Sequence, residues 1–426
     1  KKSPTKKPAK KPSTKKAATK KSAKKKSVKK NAAKKSASGK KAGAGASAGG
    51  GEERATDSAA LAALRGKIDR VDKRLVALLN ERARLVVEVG ERKRGSATPI
   101  YAPHREAQVL QRAIDANAGP LPDRTIEGIY RELMSGSFAL ERPLRIGYLG
   151  PPGSYSHQAS VRQFGSSVEF ADLRKIESVV SEVRRGHVHY GLVPIENSIG
   201  GGITETLDAL WRHAAKVWVY AEVQIAVRHM FLSDADPGEI RRIHSKPEVF
   251  EQCRAWIDAN HPGAALCADA STSRAVQTAI EENTTARGIG AAPGSAAIAS
   301  ELAGELYGLP LLQSDVQDTA ENITRFYVIS REKARGTGDD KTAITFVTGD
   351  QPGALVEVLQ AFHTAGVNLS HIDKRPSGRE NWHYTFYVDA LGHREDPEMG
   401  RALRAARVHC KEMHVLGSFP RSTRIL

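Results

Sequence analysis

From Leu61 onward, large aliphatic side chains recur at alternating spacings of three and four: Leu61, Leu64, Ile68, Val71, Leu75, Leu78, Leu85 and Val89. A period near 3.5 sustained over about four heptads predicts one long helix whose apolar seam must pack against other helices. One seam position, between Leu78 and Leu85, is held by Arg82. Burying a guanidinium without a partner is expensive, so this arginine asks for an anion. Lys93 lies 11 residues further on, about 20° around the helix and about 16 Å along it. Long side chains at those two positions can converge on one small dianion. Arg65, 17 residues before Arg82, is about 100° off that face and suits a neighbouring copy of the site. Spacing alone leaves both a dianion site and a plain ion pair with a helix carboxylate open.

Upstream of the seam the chain is of a different kind. Residues 1–51 hold 19 lysines, no arginine and no acidic residue, so they carry more than the whole formal charge of +17 and leave −2 on the rest. Such a Lys/Ala/Ser/Pro/Gly segment cannot bury enough apolar surface to offset its chain entropy, and residues 1–54 are expected to be a disordered tail. Its KKxAxKK pattern resembles histone H1-type tails. Salt-dependent, sequence-independent binding to nucleic acid through the tail is one expectation, and a merely solvated tail is the other. The sequence opens on Lys1, no apolar h-region follows the basic segment, and no signal peptide is expected. No apolar run approaches the roughly 20 residues that span a bilayer, so no membrane association is expected. Cys253, Cys267 and Cys410 are scattered without a C-x-x-C pair, which points to a reducing, cytoplasmic location rather than a disulfide or zinc framework. His187 and His189 have no accompanying Glu or Cys cluster, and neither a metal nor another cofactor is expected.

Two helical stretches, near 103–117 and 122–141, follow the seam, so residues 55–142 read as an all-α domain. Residues 143–332 alternate β-type runs (RIGYLG, VEFAD, YGLVPIE, VWVYAEV, IRRIHS, AALCADA, RGIGAA, TRFYVIS) with helical ones. That is an α/β pattern, long enough for two lobes. After the polar linker REKARGTGDDK, residues 341–421 spell βαββαβ, the ferredoxin-like order.

Within the α/β region, GPPGSYSHQA (150–159) follows a strand, as anion-holding turns do. It lacks both the G-K-[ST] ending of a Walker loop and the three-glycine Rossmann spacing. VPIENSIGG (193–201) leaves a strand with Glu196 and Asn197, STS (271–273) precedes a helix, and ENITRFYVI (321–329) opens a strand with Thr324-Arg325-Phe326. Each has an ordinary reading as well: STS as an N-cap, GG as a turn.

Taken as sets, these segments resemble known families. LAALRGKIDRVDKRLVALLNERARLVVEVGERK, PHREAQVLQRA and SGSFALE resemble the three helices of the all-helical chorismate mutases. The resemblance implies an intertwined homodimer that rearranges chorismate to prephenate. It places Arg82 and the partner's Arg65 on carboxylates, Lys93 and Glu141 at the ether oxygen and Glu106 on the hydroxyl. Arg105, Ser137 and the backbone N–H of Ala102 complete that pocket. Ala102 stands where some members have Asp, and Glu141 where others have Gln. GPxGSYS, VPIENS, the ST pair and NxTRF occur in order and resemble prephenate dehydratase, a two-lobed α/β fold like the periplasmic binding proteins with its substrate between the lobes. That resemblance implies Thr324 as the central catalytic residue and Glu196 as the acid. Asn197 and Ser198 would orient, Ser271 and Thr272 would donate to a carboxylate, and Ser154, Tyr155, Ser156, Arg325 and Phe326 would line the site. GALVEVLQAF followed by GVNLSHIDKRP resembles the dehydratase-type ACT domain, which binds phenylalanine at a dimer interface. It implies an effector site at Gly353, Ala354, Leu355, Val356, Asn368, Asp373, Lys374, Arg375 and Pro376, with DKRP in place of the family's ESRP. A bifunctional enzyme of phenylalanine biosynthesis, inhibited by phenylalanine, is the leading expectation. Arogenate dehydratase with a fused mutase and a non-catalytic amino-acid-sensing binding protein are the alternatives.

Overall fold

The computed structural model describes residues 50–93, 101–376 and 384–426, with side chains from Ser58 and without that of Lys93. The expected tail lies outside the described residues except for 50–54, which already belong to the first helix. The chain divides into two units, Lys1–Lys73 and Arg74–Leu426. The described part of the first is helical.

The heptad stretch forms helix α1 (Gly50–Lys93). Every seam residue remains between 46% and 60% exposed, so among the described residues the apolar stripe is left largely open. Helices α2 (Pro103–Asp115) and α3 (Asp123–Glu141) follow where the periodicity placed them.

The first lobe runs β1 (Arg145–Leu149), α4 (Tyr155–Phe164), β2 (Glu169–Leu173), α5 (Ile176–Arg185), β3 (Tyr190–Asn197), β4 (Gly201–Gly202), α6 (Thr204–Arg212) and β5 (Trp218–Ala226). The second runs β6 (Met230–Leu232), β7 (Arg242–Ser245), α7 (Pro247–Gln252), α8 (Arg254–Asn260), β8 (Ala265–Ala268), α9 (Thr272–Gly288), β9 (Ser295–Ala299), α10 (Glu301–Tyr307) and β10 (Leu311–Gln313). The chain then returns to the first lobe as β11 (Ile323–Ser330), which inserts antiparallel between β3 and β5. The first sheet is ordered β2-β1-β3-β11-β5 with β4 on β3, and the second β10-β6-β9-β7-β8. The expected strand RGIGAA is the end of α9 and a turn; the strand starts at Ser295 instead, where five consecutive residues are buried.

The last module is β12 (Asp340–Thr348), α11 (Ala354–Thr364), β13 (Leu369–Pro376), β14 (Tyr384–Leu391), α12 (Pro397–Val408) and β15 (Cys410–Pro420). Its sheet order, β13-β14-β12-β15, is the ferredoxin-like one. β15 packs on β5 so closely that a side chain at Gly417 would overlap the backbone of Val219. Only glycine permits that approach.

Candidate functional site

Two regions gather the expected residues, one among the helices and one at the β3/β11 junction. From Arg74 on, α1 joins α2 and α3 around a cavity of about 300 Å³. Arg82, Ala102, Arg105, Glu106, Ser137 and Glu141 all line it, with an apolar remainder that includes Leu85, Val89 and Phe138. Arg82 Nη1 donates to Ser137 Oγ at 2.9 Å, and Ser137 Oγ donates to Leu133 O at 2.7 Å. Glu106 is buried, and burial pushes its carboxyl up to about 7 against the lowering influence of Arg131. Arg65 is exposed on the first-unit part of α1, and the side chain of Lys93, the last residue of α1, lies outside the described residues.

At the second region strand register does the positioning. Thr324 is the Cα partner of Asn197 across the β11/β3 pair. The Asn197 carboxamide has a settled orientation, because its Oδ1 accepts from the N–H groups of Ile199 and Gly200 at 3.0 and 2.8 Å. Its Nδ2 therefore donates, to Thr324 Oγ1 and Asn322 Oδ1, both at 2.8 Å. A hydroxyl that accepts from Asn197 keeps its own hydrogen for another acceptor. The chain of bonds continues between the lobes: Asn322 Nδ2 donates to Gln252 Oε1 at 3.1 Å, and His229 Nε2 lies 2.7 Å from that same oxygen. His229 Nδ1 lies 2.6 Å from the Tyr155 hydroxyl. Burial holds the His229 imidazole below its usual range, and the Tyr155 hydroxyl beside Nδ1 also donates to Arg228 O at 3.2 Å. Asn322, Gln252 and His229 were not among the residues expected from sequence. Asn322 sits inside the quoted NxTRF motif, whereas Gln252 and His229 stand in stretches without a local signal.

The loop 150–156 is pinned to the second lobe. Gly153, at φ +80°, approaches Ala303 so closely that a Cβ would lie 3.0 Å from its Cα, and its carbonyl accepts from Ser300 Oγ at 2.6 Å. The hydroxyl of Ser154 is committed locally, donating to Leu149 O and accepting from His157 N–H. Ser156 is buried on α4. Ser198 binds the backbone at the entry to β11, donating to Glu321 O and accepting from Ile323 N–H. Ser271 caps α9 by accepting from Arg274 N–H, with Thr272 buried behind it.

Three expectations are corrected: two by strand alternation, which sends neighbours to opposite faces, and the third by depth along the strand, where a residue on the Thr324 side is already inside the core. Arg325 does not share the Thr324 face: its guanidinium meets Glu196 at 2.7 Å, Glu222 at 2.8 Å and Asp389 at 2.6 Å. Glu196 goes with it, turned from Thr324 towards Arg325. Phe326 is 1% exposed among core residues such as Leu192, Val223 and Val328, and is a core side chain rather than a wall of the site.

In the last module, Gly353, Ala354, Leu355 and Val356 line a cavity of about 210 Å³ with Tyr384 and Phe386. Lys374 reaches the Tyr384 ring, with Nζ 5.4 Å from its centroid. Asp373 and Arg375, on the other face of β13, turn instead to the first α/β lobe. Arg375 Nη1 meets Thr204 O at 2.6 Å and Asp208 at 2.8 Å, and Asp373 lies over Gly202. Asn368 is exposed and its carbonyl accepts from Leu391 N–H; Pro376 ends β13. Among the described residues no His/Cys/Asp/Glu group is arranged to hold a metal, and no helix is long and apolar enough to cross a membrane.

A helical cavity lined by two arginines and two glutamates, a two-lobed α/β body with a polar network between its lobes, and a ferredoxin-like module define a multidomain enzyme. Family models match in the same order: chorismate mutase type II over residues 64–142, prephenate dehydratase over 146–334 and the ACT domain over 342–408. A bifunctional chorismate mutase/prephenate dehydratase of Stutzerimonas stutzeri is 37% identical over 369 residues, 85% of this chain and 98% of that protein. A prephenate dehydratase from Arthrobacter aurescens, solved in complex with L-Phe, is 31% identical with a TM-score of 0.59, covering 65% of this chain and 90% of its own. A quorum-quenching acylase, GqqA, matches 66% of this chain and 98% of its own at 28% identity and a TM-score of 0.57. The chain belongs to the family of bifunctional chorismate mutase/prephenate dehydratases, in which an isomerase is joined to a carbon–oxygen lyase.

Proposed function

We propose that the helical cavity rearranges chorismate to prephenate and that the β3/β11 site converts prephenate to phenylpyruvate, two steps of phenylalanine biosynthesis. The observation that supports this most is the convergence of Arg82, Ala102, Arg105, Glu106, Ser137 and Glu141 on one cavity. A Claisen rearrangement needs no nucleophile; it needs a dicarboxylate held in a chair and negative charge on the breaking ether oxygen stabilised. Arg82 clamps one carboxylate, with the partner's Arg65 on the other, as guanidinium groups do bidentately. Lys93 and Glu141 address the ether oxygen, and Glu106 accepts from the ring hydroxyl. Arg105, Ser137 and the Ala102 N–H complete the contacts. The uncovered seam of α1 is the surface for a second copy, making the enzyme a homodimer or larger.

In the second step the ring C–C bond to the carboxylate breaks and its electron pair enters the ring. The hydroxide opposite leaves and takes up a proton as water, with CO₂ as the other product. Thr324, its lone pair engaged by Asn197, donates a hydrogen bond to the departing hydroxide and keeps its proton, the proton that completes water coming from solvent. Tyr155, Ser156, Ser271 and Thr272 border the cleft on the carboxylate side, and Ser198 holds the two strands in register. Phenylalanine, the end product, binds at the 353–356 cavity with Lys374, and β13 relays its presence to Thr204 and Asp208 through Arg375. The domains are taken as 55–142, 143–332 and 341–421. The free thiols of Cys253, Cys267 and Cys410 suit the reducing cytoplasm. Mass detection of phenylpyruvate formed from chorismate, with and without added phenylalanine, tests the reading. Absence of phenylpyruvate refutes it, and product formation insensitive to phenylalanine refutes the effector site.

A further inference from the structure

Glu106 occupies an unusual place: it lines the mutase cavity on one side and an inter-domain cavity of about 390 Å³ on the other. Both of its oxygens have partners. Oε1 lies 3.5 Å from Arg131 Nη1, and Oε2 accepts from Gln163 Nε2 at 3.4 Å. Gln163 does not belong to the helical domain. It is the penultimate residue of α4, the helix that opens with Tyr155 at the dehydratase cleft. The same residue also holds the other partner, because its backbone carbonyl accepts from Arg131 Nη1 at 3.2 Å. Its amide is in turn fixed by a 2.7 Å bond from Nε2 to the Tyr101 hydroxyl.

Tyr101 is fully buried among Phe138, Phe164, Tyr190 and Tyr220, and its carbonyl accepts from Tyr220 OH at 2.8 Å. Ala102, at the rim of the mutase cavity, is therefore anchored through its neighbour in the aromatic core of the first lobe. The helix that carries Ser137 and Glu141 is docked at the same junction, where Glu132 accepts from Ser166 N–H and Oγ at 2.9 Å. Four cavity-lining residues, Glu106, Ala102, Ser137 and Glu141, are thus tied to contacts with the dehydratase lobe.

We propose that Gln163 of the dehydratase lobe is a positioning residue for the mutase reaction, setting the Glu106 carboxylate through its side-chain N–H and through Arg131. The inference rests on the reading of Glu106 as the acceptor of the substrate hydroxyl. A contact made equally in ground and transition states appears in KM rather than kcat. Losing a hydrogen bond to a charged group at the weak end of the usual range gives about a tenfold change. In the full chain, Gln163→Met raises the mutase KM about tenfold with kcat within about twofold. Gln163→Glu, nearly isosteric but with the donor replaced by a carboxylate, raises KM further.

Tyr101→Phe gives a smaller rise of the same sign and adds nothing on top of Gln163→Met, since both act through one amide. Dehydratase activity, measured separately on prephenate, is unchanged in the Gln163 variants. Mutase constants within twofold of the parent in Gln163→Met and Gln163→Glu, while Glu106→Ala is severely impaired, overturn the proposal. So does equal loss of both activities. An unimpaired Glu106→Ala instead refutes the underlying reading of the mutase site.

Discussion

Replacing Thr324 by Val tests the dehydratase chemistry with little change of shape. The side chain is 8% exposed, and Val differs from Thr by a methyl in place of the hydroxyl. Two effects follow and can be separated. The first is structural: Asn197 Nδ2 keeps Asn322 Oδ1 at 2.8 Å but loses Thr324 Oγ1, and only Ile323 O, at 3.4 Å, remains for its second hydrogen. Leaving one buried donor poorly satisfied costs about 1–3 kcal/mol, within the margin a folded enzyme tolerates. The second is catalytic. Losing one preorganised donor to charge that develops in the transition state costs roughly 2.7–4 kcal/mol, or about 10²–10³ in kcat. The assay follows phenylpyruvate from prephenate, with prephenate formation from chorismate measured on the same preparation. The variant is expected to lose at least a hundredfold in dehydratase kcat while mutase activity stays within twofold, and Thr324→Ser restores most of the loss. A dehydratase kcat within threefold of the parent refutes the role of the hydroxyl. A parallel fall of both activities refutes the claim that the effect is local.

Further outcomes can be checked with ordinary variants. A carboxamide always carries an N–H donor for the ether oxygen, so Glu141→Gln is expected to keep mutase kcat/KM at or above that of the parent while Glu141→Ala loses about tenfold or more; equal activity in Glu141→Ala refutes the role. Arg325→Met leaves Glu196, Glu222 and Asp389 without their shared cation. Thermal denaturation should show a loss of about 3 kcal/mol or more, as when one partner of a buried ion pair is removed, even though Lys341 still meets Glu222 at 3.0 Å. Arg375→Ala removes the bonds to Thr204 and Asp208; inhibition curves should show the phenylalanine concentration for half-inhibition raised severalfold with the uninhibited rate unchanged. Deleting residues 1–51 leaves both activities intact and, if the lysines bind nucleic acid, abolishes salt-dependent retention on DNA.

Periodicity alone specified a good deal. A 3.5-residue repeat can only be buried by a helix packed on helices, so α1 and its exposed stripe were legible from Leu61 to Val89. The βαββαβ order and most strands followed from runs of β-formers between turns, and short motifs marked Arg82, Thr324 and Asn197. Local pattern could not say which residues share a face once strands are laid side by side. Thr324, Arg325 and Phe326 are consecutive in one motif, yet the pleat sends the guanidinium to three carboxylates on one face, while on the other the hydroxyl meets Asn197 and the ring, two residues deeper along the strand, is already in the core.

Only the return of β11 between β3 and β5, after the whole second lobe, brings Thr324 against a side chain 127 residues away. Gln252 and His229 join that network, and Gln163 meets Glu106 across 57 residues, because of strand order and helix docking. Such contacts leave no trace in a local window, since the chain entropy of closing long loops is repaid by the packed core as a whole rather than by the residues that meet.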